Sequence, residues 1–101
     1  MDRVAWIIAG IVKDVAIDDL FAFLGLLADD SGGVKVALDH GLIKTNFSLR
    51  EDDPGKAERR ATAKLAGMRA EAGLPSDALS LRCVVSPPAA HVGWDWPAER
   101  N

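Results

Sequence analysis

With 101 residues, 49% of them apolar and 27% charged, the chain is long enough for one globular domain that buries a little under ~70% of its unfolded surface, and wholesale disorder or collagen-like composition is excluded. Twelve Lys and Arg against fifteen Asp and Glu leave a net charge of -3, which opposes bulk attraction to nucleic acid or anionic membrane and leaves only local basic patches as anion sites. The single cysteine, Cys83, forms no intrachain disulfide, so no oxidising compartment is required and a cytoplasmic location is expected.

Residues 4–12 are almost entirely apolar. Val4, Ile7, Ile8, Ile11 and Val12 fit helical spacing, yet β-branched residues favour strands and Gly10 weakens a helix, so a strand is the preferred reading. The stretch is far shorter than the ~20 apolar residues of a spanning helix and is followed by no cleavage pattern, so neither secretion nor membrane insertion is expected. Residues 17–28 carry Leu20, Phe21, Phe23, Leu24 and Leu27, with Asp14 or Asp18 near the start and Gly32-Gly33 beyond the end, which predicts a helix. Its apolar surface is wide, as a deep core or a partner surface would make it.

Residues 34–38 alternate, Asp39-His40-Gly41 supplies a turn, and residues 42–50 alternate again, which predicts a hairpin. Asp53-Pro54 is a helix start: the aspartate caps free N–H groups and proline is tolerated at the first helical position. Ala57, Ala61, Leu65, Met68 and Ala72 recur at steps of three and four until Gly73 and Pro75 stop the helix. Residues 79–85 read as a last strand, ended by Pro87-Pro88.

The order β-α-β-β-α-β resembles the ferredoxin-like arrangement, an α+β fold with a four-stranded antiparallel sheet and two helices on one face. Residues 1–88 then form the domain, and residues 89–101 an irregular tail. Strand 1 is expected at the centre, and if it were helical the sheet would lose a strand. The resemblance is one of topology only: the metal carriers' CxxC and the acylphosphatase anion loop are absent, and fold alone assigns no function.

Alternation predicts which side chains share a face. Val34, Val36 and Leu38, with Leu79, Leu81, Cys83 and Val85, are expected under the helices, which places Lys35, Lys44, Arg50 and Arg82 on the open face. An apolar set from strand 1, either Ala5, Ile7, Ala9 and Ile11 or Trp6, Ile8 and Val12, must join them there and be covered. A second copy, sheet against sheet, or the chain's own tail is the expected cover. Trp94 and Trp96 would share a side of an extended tail, where they either pack on the domain or anchor in a partner. Lys56, Arg60 and Lys64, with Arg59 and Arg69, line the outer face of the second helix, the usual state of a surface helix.

Catalytic, metal and phosphate signatures are missing. The two histidines, His40 and His91, and Cys83 lack zinc spacing, and Ser31-Gly32-Gly33 precedes a strand rather than a helix, unlike a phosphate loop. The expectation is therefore a noncatalytic protein-interaction or regulatory module with no catalytic residue, metal or cofactor, meeting a partner, itself or another protein, through Lys35, Lys44, Arg50, Arg82, Trp94 and Trp96. Nucleic acid and membrane are not expected as partners. Two other readings remain: a homodimeric sensor holding an anionic metabolite near Lys44, Arg50 and Arg82, and a small dimeric-barrel enzyme with His40 or His91 as general base.

Overall fold

The computed structural model describes residues 2–86. The tail, with His91, Trp94 and Trp96, lies outside the described residues. The elements follow as β1 (Asp2–Ile11), α1 (Ile17–Asp30), β2 (Val34–Ala37), a single 3-10 turn (Leu38–His40), β3 (Leu42–Arg50), α2 (Pro54–Glu71) and β4 (Leu79–Ser86). The strands make one antiparallel sheet in the order β2-β3-β1-β4.

The ambiguity at residues 4–12 resolves as strand, because β1 is paired along both edges and contributes buried residues to the core between sheet and helices. The apolar residues of its other face are half-buried rather than solvated, which accounts for a run that is apolar on both sides. Val12 falls just outside the strand and is 61% exposed.

The core lies between one face of the sheet and both helices. Ala5, Ile7 and Ala9 of β1 sit in register with Phe47, Thr45 and Ile43 of β3, and all six are buried with Leu20, Phe23 and Leu27 of α1 and Ala57, Ala61 and Leu65 of α2. Small residues on α2 bring its backbone close to β1, and the matching small residues on β1 leave room for only one large side chain there, Ile7. Thr45 is the one buried polar residue among the described ones; its hydroxyl donates to the Gly33 carbonyl at 2.8 Å, which satisfies it.

Local signals account for the element ends, with departures from expectation at the start of α1 and the end of β2. The Asp53 carboxylate accepts from the Gly55 N–H at 3.1 Å and Pro54 opens α2, as the sequence predicts. Replacing Asp53 with alanine is expected to cost about 1 kcal/mol, which a melting experiment reads as a fall of roughly 4–8 °C. In contrast, α1 begins at Ala16 without a side-chain cap, so neither Asp14 nor Asp18 fills that role; Asp18 and Asp19 instead lie in its first turn, where the helix dipole favours them.

Leu38, expected to face the helices, belongs to the 3-10 turn and is 53% exposed. The strand ends one residue earlier because Gly41, at φ 63°, closes that turn onto the Leu38 carbonyl. Phe21, grouped with the apolar run of α1, is 55% exposed. The buried stripe is Leu20, Phe23 and Leu27, and position 21 points away from it.

Candidate functional site: the open face of the sheet

Even-numbered residues of β1 share the helix-free face with Lys35 and Ala37 of β2, the even-numbered residues of β3, and Ser80, Arg82 and Val84 of β4. Val4, Trp6 and Ile8 therefore form an apolar track down the centre, each half-buried. One cross-strand row reads Lys35, Lys44, Ile8, Arg82, and the next reads Asn46, Trp6, Val84. The Lys44 ammonium lies 5.6 Å from the centroid of the Trp6 ring, a cation-π contact that holds charge and aromatic surface together.

Three of the four sequence-predicted cations thus meet on one row. Arg50 faces the same side but stands six residues along β3 from Lys44, roughly 20 Å at strand rise. A small anion therefore cannot touch Lys44, Arg50 and Arg82 together, which removes that set as one metabolite site. Lys44 and Arg82 are separated by two strand spacings, about 10 Å between backbones, with Ile8 between them. This spacing suits several carboxylates along an extended segment. No carboxylate from the four strands shares the face among residues whose side chains are described.

Three of the five cations of α2 are engaged locally. Arg60 donates to the Arg50 carbonyl and to Glu51, Lys64 pairs with Asp30 at 3.3 Å and lies over the Phe47 ring at 5.5 Å, and Arg69 donates to the Leu74 carbonyl. These contacts tie α2 to its surroundings and leave the sheet as the basic surface with the stronger apolar component.

Elsewhere the described residues offer little chemistry. His40 Nε2 lies 3.7 Å from Asp39 Oδ2, with both side chains well exposed, and the neighbouring cleft of about 450 Å³ is lined by Ile11 to Val15, Leu20, Leu38 and Gly41 rather than by that pair. No group of three or more metal-ligating side chains occurs among the described residues, and no helix is long and apolar enough to cross a membrane.

Cys83 points to the helix side and is half-buried. Burial, reinforced by the charge of Glu58, pushes its thiol up to about 11 from an ordinary 9.0. Its thiolate is about a hundredfold scarcer at neutral pH than that of a solvated thiol, so alkylation by iodoacetamide in native buffer is expected to be slower than in denaturant by that order. The linkage has a definite sign: the thiol contribution to stability is complete below pH 9 and is lost as pH rises through 11.

Trp6 is the site residue that alternation alone left open, since both faces of β1 are apolar. No protein-family model matches the chain, and neither the curated proteins nor the solved structures give a match.

Proposed function

We propose that the chain is a noncatalytic binding module of ferredoxin-like type whose open sheet face holds an acidic, partly apolar segment of another protein. The β-α-β-β-α-β order with β1 and β3 inside the sheet supports the ferredoxin-like reading. The observation that carries the functional reading is the row Lys35, Lys44, Ile8, Arg82 set against Trp6 and Val84. Cations steer and orient an acidic partner, while a half-buried tryptophan and its aliphatic neighbours supply area.

The same charge pattern disfavours packing this face on its own copy. A twofold interface sets a patch against itself, and the row of Lys35, Lys44 and Arg82, which contains no carboxylate, would then meet cations. In the proposed module Trp94 and Trp96 act as an additional anchor from the tail, through aromatic area.

The test is a titration of the full chain with a fluorescent peptide in which glutamate alternates with leucine, at low and at high salt. The double variant Lys44→Glu/Arg82→Glu is expected to weaken binding about tenfold or more, while Lys56→Glu/Arg59→Glu on α2 leaves it unchanged, and Trp94→Ala/Trp96→Ala is expected to weaken it to a smaller extent. Equal losses from the sheet and helix variants would mean that net charge alone attracts the peptide, and the reading would be wrong.

A further inference from the structure

The two edges of the sheet are built differently. β2 is four residues long, follows the Gly32-Gly33 pair and ends in the 3-10 turn, so it offers little to an incoming strand. β4 is eight residues long, with Arg82 as its only charge and no proline before Pro87. Long, nearly uncharged edge strands are templates for pairing unless something blunts them.

The direction of the free backbone groups on β4 follows from the ladder. Ile11 N–H donates to the Gly41 carbonyl and Val12 N–H to the Ala78 carbonyl, so odd residues of β1 bond β3 and even ones bond β4. The even residues of β4 therefore bond β1, and Leu79, Leu81, Cys83 and Val85 direct their N–H and C=O groups outward. No backbone partner for that outer edge occurs among the described residues.

The side chains show the same unfinished edge. In the helix-side row of Val36, Ile43, Ala9 and Leu81, the inner two are 0% and 1% exposed, whereas at the ends Val36, on the short β2 edge, is 39% exposed and Leu81 is 42% exposed. It lacks a neighbour on its far side. On the opposite face Val84 is 36% exposed.

We infer that β4 pairs antiparallel with β4 of a second copy, joining two four-stranded sheets into one eight-stranded sheet whose open faces lie on the same side. A twofold axis at Cys83 sets Leu81 opposite Val85 of the other copy and Arg82 opposite Val84, so apolar residues meet and no like charges oppose each other. Shifting the axis to Arg82 would place the two arginines face to face, which is unfavourable. The register centred on Cys83 forms about six intermolecular backbone hydrogen bonds, with Pro87 as its natural stop. A second copy fits better than a foreign strand because this pattern is self-complementary about its own centre. The edge pairing stands apart from the partner proposed for the open face, which it leaves accessible.

The test is sedimentation equilibrium of the full chain from micromolar to near-millimolar concentration, with Leu81→Lys and Leu81→Pro. Proline at position 81 removes an outward N–H and no bond to β1, and unchanged far-UV circular dichroism verifies that each variant keeps its fold. The expected result is a species of twice the 10.8 kDa chain mass in the wild type, with dissociation constants raised about tenfold or more in both variants. Prolonged oxidation with diamide at pH 9, which offsets the scarcity of its thiolate, is expected to trap the wild-type dimer through Cys83, because opposed backbones about 5.5 Å apart lie within disulfide reach. A wild type that remains monomeric throughout, a dimer that persists in both variants, or a Cys83 link that forms equally well in Leu81→Lys would each overturn the proposal. Pairing with a foreign strand alone would show as the first of these.

Discussion

Phe23→Ala is expected to lower stability by about 3–5 kcal/mol, because it removes a fully buried ring from the centre of the core and leaves a cavity that backbone relaxation closes only in part. The ring is 0% exposed and belongs to the cluster that joins α1 to the sheet. A domain of this size has only about 5–15 kcal/mol in total, so the loss is a large share of it and appears as a melting temperature lowered by well over ten degrees, at roughly 4–8 °C per kcal/mol. Phe21→Ala is the internal control: the same residue type two positions earlier is 55% exposed, and its loss is expected to stay within about 0.5 kcal/mol. Equal effects at the two positions would mean that α1 is rotated from the orientation described above.

Ala61→Leu is expected to destabilise by about 1–3 kcal/mol for the opposite reason. Ala61 is 0% exposed on the face of α2 that packs against the sheet, beside Ala57, also at 0%. An added isobutyl group there pushes the helix outward or forces strained rotamers onto its neighbours. Ala63→Leu, on the exposed side of the same helix, adds the same atoms to open solvent and is expected to change little. Chemical denaturation of the pair separates overpacking from any intrinsic helix effect, since both substitutions replace alanine with leucine in the same helix.

These two predictions draw on different layers of information. The periodicity of α2 is plain in the sequence: Ala57, Ala61, Leu65 and Met68 recur on one side, the Asp53-Pro54 start is a local chemical signal, and β3 spans the residues its alternation predicts. The apolar width of α1 was equally visible, and spacing sets Phe23 closer than Phe21 to the Leu20, Leu24, Leu27 stripe, but it does not say how deeply either ring is enclosed. Both lie within one broad apolar arc, and the contact with α2 and the sheet decides which of them is enclosed. Leu38 was misplaced for a related reason: its alternation continues that of residues 34–36, and the left-handed Gly41 that curls the chain into a turn acts from three residues away.

The candidate site shows the same division. Alternation by itself determined that Lys35 and Lys44 stand on one side of their strands, because residue parity fixes the face once the apolar side is buried. It also supplied an antiparallel α+β plan, from strand and helix signals that are local in the chain. The tertiary structure decided what parity cannot. Cross-strand register places Lys35, Lys44 and Arg82 in one row and leaves Arg50 far along β3, and register comes from pairing residues that are distant in sequence. Packing against the alanine face of α2 selected Ala5, Ile7 and Ala9 for the core and turned Trp6 and Ile8 outward, because space between closely approaching backbones admits small side chains and excludes an indole. Strand order, finally, made β4 an edge, since nothing in residues 79–86 distinguishes an inner strand from an outer one until the neighbours are in place.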